Sequence, residues 1–244
     1  MPKAERTPIL ELLSRSLQRF VRLSKSDEEA LRVLHPGTAF VPRGSDIVRQ
    51  GDRPDVAVMI LDGTLGRYVT VPSGRRQYLT MEIRGGLPDL QSLFLGQLDH
   101  ALVALDDARV AKIPHRELLK LFSQNPKVAL ACWRVTLIDA AIFRQAIASN
   151  GSRTPVERLA HFFCEQLYRA RQVGLNKGET CAVPLSQVQL GQMLGMSLVT
   201  TNRAVRTLRT EGCAVIGSGR LEVFNWRRLQ ARAGFDPAYL TADR

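Results

Sequence analysis

The feature that most limits how this chain can fold is a change of rhythm near Pro114. Before it, glycine recurs at short intervals (Gly37, Gly44, Gly51, Gly63, Gly74, Gly85) and leaves room only for brief apolar segments. Those at 55–61, 65–71, 76–83, 102–105 and 109–113 suit strands. Val56, Val58 and Ile60 alternate, and Asp62-Gly63 carries the chemistry of a hairpin turn. Many short strands separated by turn signals predict an antiparallel roll or sandwich. Helical stretches at 8–20 and 26–34 precede it.

Beyond Pro114 the apolar period becomes helical. A short helix is expected over 115–122, and Pro126 opens a long one to about Ser149, roughly 36 Å at 1.5 Å per residue. Asn150-Gly151 reads as its stop. Val128, Ala131, Val135, Ile138 and Ile142 repeat at 3,4 spacing and are the expected dimer seam. Leu130, Leu137 and Ala141 make a second stripe. Two stripes suit one face against the roll and one against another subunit; the alternative is a helix buried within a monomer. Thr154-Pro155-Val156-Glu157 then caps a further helix that Gly174 ends.

Charge narrows the function. The chain carries 34 Lys and Arg against 23 Asp and Glu, a net +11 that favours polyanionic partners, nucleic acid before an anionic membrane. Residues 150–244 hold 13 basic and 7 acidic residues, so positive charge is densest there. No apolar run approaches a membrane span, and the N-terminus lacks the apolar stretch of a secretory signal. A cytoplasmic chain with no membrane partner is expected. Cys132, Cys164, Cys181 and Cys213 form no CxxC, and His35, His100, His115 and His161 have no ligand spacing. No metal or cofactor is therefore expected. No catalytic triad or phosphate loop is visible, so an enzyme is not expected.

The functional signal lies after Pro184. A short helix is expected over 187–194, with Leu190 and Leu194 inward, and Gly195 suits the turn that follows. Ser197 caps a second helix running to about Arg209. Its inner face is Ala204, Val205 and Leu208, bordered by Thr201; its outer face is Asn202, Arg203, Arg206 and Arg209. Arg bonds guanine bidentately, Asn does so with adenine, and further Arg neutralises phosphate. After Gly212, segments 214–216 and 221–224 can pair around Gly217-Ser218-Gly219, with Arg220 beside the turn. Two helices plus this wing predict a DNA-binding winged helix-turn-helix. A small-molecule-gated signalling module that works through protein partners without DNA is the competing class.

Pro184-Leu185-Ser186, Leu190-Gly191, Leu194-Gly195-Met196-Ser197, Thr200-Thr201-Asn202-Arg203, Leu208-Arg209 and Glu211-Gly212 closely resemble the winged helix of the Crp/Fnr transcription regulators. The closing Phe235-Asp236-Pro237-Ala238-Tyr239-Leu240 resembles one branch of that family, and Ile60-Leu61-Asp62-Gly63 resembles its nucleotide-binding roll. The resemblance implies an α+β chain. Residues 1–125 would form an antiparallel β-roll (a double-stranded β-helix) of the cyclic-nucleotide-binding type, 126–150 a dimerisation helix, and 151–244 the winged helix-turn-helix. It implies a homodimer on a near-palindromic operator in double-stranded DNA, with RNA polymerase as a further partner. Leu198, Val199, Asn202 and Arg203 would read bases, while Ser197, Thr200, Arg206 and Arg220 would hold phosphate.

One part of the pattern departs. Cyclic-nucleotide binders of the family carry Gly-Glu followed by Arg-Ser or Arg-Thr; this chain places Asp89-Leu90 and His100-Ala101 there. The ribose acceptor and the guanidinium for the cyclic phosphate are missing. The cassette reads as degenerate, His100 as a partly exposed structural side chain, and control by cyclic AMP is not expected.

Overall fold

A computed structural model describes residues 3–241. The chain forms two compact units, one over residues up to 75 and 79–140, the other over 76–78 and 141–240. The first begins with helices α1 (Lys3–Gln18) and α2 (Lys25–Ala30). Strands follow: β1 (Gly37–Val41), β2 (Asp46–Val48), β3 (Val56–Asp62), β4 (Leu65–Thr70), β5 (Arg76–Glu82), β6 (Ala101–Ala104) and β7 (Ala108–Pro114). They lie in two sheets ordered β1-β7-β3 and β2-β6-β4-β5. The pairs β1–β7, β3–β7, β2–β6 and β4–β6 are antiparallel. Strands β1 and β2 escaped the sequence reading because neither shows a sustained alternation.

Asp62-Gly63 is not a hairpin turn. Strand β3 pairs with β7 and β4 with β6, so the turn carries the chain from one sheet to the other. The return crossing runs beside it, with Thr64 N–H donating to Asp106 Oδ1 at 2.6 Å. Gly63 has φ +78°, and a Cβ there would lie 2.5 Å from the Asp107 carbonyl oxygen. Glycine is needed because two crossings share one corner.

Both faces of β3 are buried. Val58 and Ile60 point into the roll with Val41, Leu65 and Leu102. Ala57 and Met59 join an outer core with Leu13 and Leu17 of α1 and Leu118 and Leu121 of α3 (His115–Gln124). Helix α4 (Pro126–Ser152) adds Val128, Ala131 and Cys132 to that core. Burying each such leucine stabilises by about 1.5–3 kcal/mol relative to exposure.

Helix α4 corrects two expectations. It passes through Asn150-Gly151 to Ser152. The break comes at Thr154-Pro155, where proline disfavours helical backbone in the preceding residue and Thr154 caps the next helix. The dimer-seam assignment also fails in part. Val128, Ala131 and Val135 pack on the outer core of the first unit, Ile142 is buried and Ile138 half-buried. Two stripes of equal spacing cannot say which faces the chain's own core. The exposed one contains Leu130, Trp133, Leu137 and Ile147.

In the second unit, α5 (Pro155–Gln172) opens with a capping box formed by Thr154 and Glu157. Then come β8 (Thr180–Ala182), α6 (Gln187–Met193), α7 (Leu198–Thr210), β9 (Ala214–Gly217), β10 (Arg220–Val223) and α8 (Trp226–Ala233). Strand β8, unforeseen from sequence, extends the wing into a three-stranded sheet ordered β8-β10-β9. Phe235 gathers the rings of His161, Tyr168, Trp226 and Tyr239 at centroid distances of 5.4 to 6.3 Å. That cluster is the physical content of the C-terminal aromatic pattern.

Candidate nucleic-acid interface

Helix α6 starts where it does because Ser186 and Gln189 satisfy each other's backbone N–H groups. It ends at a turn in which Gly195 has φ +62° and Met196 N–H donates to the Gly191 carbonyl at 2.8 Å. Gly191 is where the two helices touch. A Cβ there would meet the Met196 carbonyl oxygen at 2.8 Å and Thr201 Oγ1 at 2.9 Å. Arg158 of α5 closes the same corner. Its Nη1 donates to the Leu194 carbonyl at 3.1 Å and the Gly195 carbonyl at 3.4 Å, placing a cation at the carbonyl end of α6. Sequence reasoning missed both roles. Gly191 stood in the motif without a reason, and Arg158 lies 36 residues from the carbonyl it holds.

Helix α7 begins at Ser197, whose Oγ accepts from Thr200 N–H at 3.1 Å. Thr201, Ala204 and Leu208 are buried, and Thr201 Oγ1 donates to the Ser197 carbonyl at 2.9 Å. Val205, expected inside, is half-buried. Asn202, Arg203, Arg206 and Arg209 are exposed, and their side chains form no ion pair with the described residues. Leu198 and Val199 stand 47% and 68% exposed at the N-terminal end, a cost in water unless something covers them. Ser197 and Thr200 share a hydroxyl contact at 2.8 Å beside them.

The wing is a tight hairpin. Gly217 pairs with Arg220 across Ser218 and Gly219, whose φ values of 48° and 74° fit a two-residue turn with both residues left-handed. Val183 N–H donates to the Gly219 carbonyl at 2.8 Å, so the segment after β8 steadies the turn. Arg220 is exposed at its base.

The acidic residues of this unit are largely engaged elsewhere. Arg232 bridges Glu157 at 3.2 Å and Glu211 at 3.3 Å, Arg171 pairs with Glu179, and Glu165 takes Arg169 and the Tyr239 hydroxyl. Among the described residues, the positive face of α7 has no ion-paired carboxylate. Cys181 and Cys213 are buried; burial pushes the Cys181 thiol up to about 11 and raises that of Cys213. Both are protonated thiols at neutral pH.

In the first unit, Asp89, Leu90, His100 and Ala101 are all buried, each no more than 4% exposed, but Leu90 packs in the outer core with α1, α3 and α4. His100 is buried, not partly exposed. Its Nδ1 lies 2.7 Å from Asp99 Oδ1, and desolvation holds its pKa below the ordinary value despite that carboxylate. Asp89 Oδ1 accepts from Val58 N–H at 2.7 Å, and burial raises its carboxyl to about 7. Asp89 thus holds the β3 backbone through Oδ1. The buried side chain sequence reading missed is Arg67 of β4, 2% exposed and ion-paired with Asp139 of α4.

The comparisons with known proteins agree with this anatomy. A family model described as a cyclic nucleotide-binding domain matches residues 39–125, and one described as a Crp-like helix-turn-helix domain matches 157–232. The two matches together cover about two thirds of the chain. The transcriptional activator protein FnrL of Cereibacter sphaeroides is 24% identical over 79% of each chain. The transcriptional regulatory protein btr of Bordetella pertussis is 22% identical over 88% of each. The solved structure of FixK2 from Bradyrhizobium japonicum superposes with a TM-score of 0.74 at 23% identity, covering 83% of this chain and all of that one. These relatives are transcription regulators rather than enzymes, and no helix among the described residues is long and apolar enough to cross a membrane. A nucleotide-binding-type roll followed by a winged helix with a bare cationic face makes this chain a member of the Crp/Fnr family of DNA-binding transcription regulators.

Proposed function

We propose that the protein acts in the cytoplasm as a homodimer on a near-palindromic operator, without control by cyclic AMP. The observation that carries this reading is the outer face of α7, where Asn202, Arg203, Arg206 and Arg209 stand in solvent without ion-pair partners among the described residues. Asn202 and Arg203 read base edges, and Leu198 and Val199 meet thymine methyls. Arg206 and Arg220 neutralise phosphates, and the Ser197 and Thr200 hydroxyls bond them. Residues 1–125 serve as the sensor, 126–150 as the dimerisation helix, and 151–244 bind DNA; RNA polymerase is the further partner.

The dimer contact in this reading is the exposed stripe of α4. Leu130, Trp133 and Leu137 are spaced three and four apart, and Ile147 lies on the same 3,4 series. Four apolar side chains in solvent on one helix face favour a second copy of that face. Two copies about a two-fold axis present their α7 helices to successive major grooves, roughly 34 Å apart. The test is selection of duplexes from a random pool, followed by footprinting. Two protected half-sites about one helical turn apart, bound by a dimer, are expected. Protection of a single half-site by a monomer would overturn the reading.

A further inference from the structure

The interior of the roll already contains a charge cluster where an anionic effector would need one to be free. Arg67 stands on β4 opposite Leu102, next to the His100-Ala101 pair of the degenerate cassette. It is close enough to Asp89 and His100 to act electrostatically on both. Its Nη2 lies 3.8 Å from Glu82 Oε1 of β5 and is hydrogen-bonded to Asp139 Oδ2 of α4. Glu82 is 3% exposed and accepts from Thr80 Oγ1 at 2.8 Å. A guanidinium so deeply buried persists only with opposite charge beside it, and here two carboxylates supply it. The cluster of Arg67, Glu82 and Asp139 then carries one net negative charge when both acids are ionised. An entering cyclic phosphate would meet the net negative charge of this trio and a guanidinium already ion-paired.

We infer that Arg67 is a resident substitute for an effector: held by Glu82 and Asp139, it fixes α4 on the roll with the chain's own atoms, so that operator binding needs no small anion. Arg67 and Asp139 are positioning residues, acting on DNA through α4. The inference rests on the regulatory reading above and deepens it by naming how the sensor is set.

The test uses full-length protein and an operator selected by the wild type. Its affinity is measured with and without 1 mM (roughly saturating for a family effector of micromolar affinity) cyclic AMP, cyclic GMP or inorganic phosphate. Wild-type affinity is expected to stay within about twofold in every case. Asp139→Asn, checked for folding by its thermal melt, is expected to weaken operator binding at least about tenfold. Asp139→Glu, which keeps the charge, should recover most of that loss, whereas a packing role alone would not distinguish the two. If Asp139→Asn does not fold, Glu82→Gln enters the same assay with the same expectation. Tighter DNA binding by the wild type on adding a cyclic nucleotide would overturn the inference, as would a folded Asp139→Asn or Glu82→Gln protein of wild-type affinity. Failure of the wild type to select any duplex would instead overturn the regulatory reading.

Discussion

Arg67 and Arg203 are the same side chain in opposite circumstances. The first is buried in the roll and ion-paired with Glu82 and Asp139; the second stands on α7 in water with no ion-pair partner among the described residues. An inward guanidinium spends its charge on the fold, and replacing such a buried pair by apolar groups is often neutral for stability. An outward one is free for a polyanion whose neutralisation releases counter-ions. The contrast separates the two halves of the chain better than net charge does. It also says that the roll is built to hold α4 and the winged helix to hold DNA.

Helix α4 offers the hardest test of that contrast, because its inner face meets a buried arginine through Asp139 and its outer face meets solvent through Leu137. A lysine at position 137 would put a charge into the exposed apolar stripe of α4. Leu137→Lys is expected to leave the melting temperature nearly unchanged, to give a monomer by sedimentation, and to lower operator affinity at least about a hundredfold as avidity is lost. Val128→Ala, on the inner face, should do the reverse: roughly 1–3 kcal/mol of stability lost from the core and the dimer retained. A dimer surviving Leu137→Lys would show that the exposed stripe is not the interface.

The roll interior makes a second prediction through Asp89. Its folded carboxyl titrates near 7, whereas an unfolded aspartate titrates at about 3.9. Below about pH 4 both states hold the proton and stability is unaffected. Between about 4 and 7 the unfolded state releases its proton first, so stability falls as pH rises, by on the order of 4 kcal/mol in all, and then levels off. Asp89→Asn keeps the acceptor for Val58 N–H and cannot ionise. It should melt above the wild type at pH 8, with the gap closing toward pH 4. An equal gap at every pH would mean that ionisation of Asp89 is not its source.

What was readable in the sequence follows the range of the interactions involved. The two helices and the turn of the winged helix were legible because caps, turns and helix faces are set by neighbours a few positions apart: Ser197 as the cap of α7, Gly195 at its own φ, Ala204 and Leu208 on one face. The roll was legible as a class but not in its connections. Asp62-Gly63 looks the same whether it closes a hairpin or crosses between sheets, and only the distant partners of β3 and β4, strands β7 and β6, decide it. The buried charge cluster of the roll was invisible for the same reason. Arg67 reads as one more surface arginine until Asp139 is brought to it from 72 positions away. On α4, period alone could not say which stripe faced the chain's own core.

On α7 itself, the comparison can be sharpened by separating readers from anchors. Arg203→Ala should cost about 1–3 kcal/mol on the selected operator and relax preference at one base pair, because a bidentate guanine contact carries sequence information. Equal weakening on every duplex would remove Arg203 from the base edge.

The smallest effect belongs to Arg206, exposed one turn further along the same face. A side chain that only neutralises a phosphate contributes the same increment to operator and to random duplex, since every duplex has the same backbone. Arg206→Ala should therefore weaken both in parallel and leave their ratio unchanged. It should also make the dependence of log affinity on log salt shallower by about one unit per lost contact, because one fewer counter-ion is released. A dimer carries two copies, so the slope per operator should change by about two. Titrations at several salt concentrations on both duplexes measure ratio and slope together. A changed ratio at constant slope would make Arg206 a reader, and the cationic face of α7 would then extend its base contacts one turn beyond Arg203.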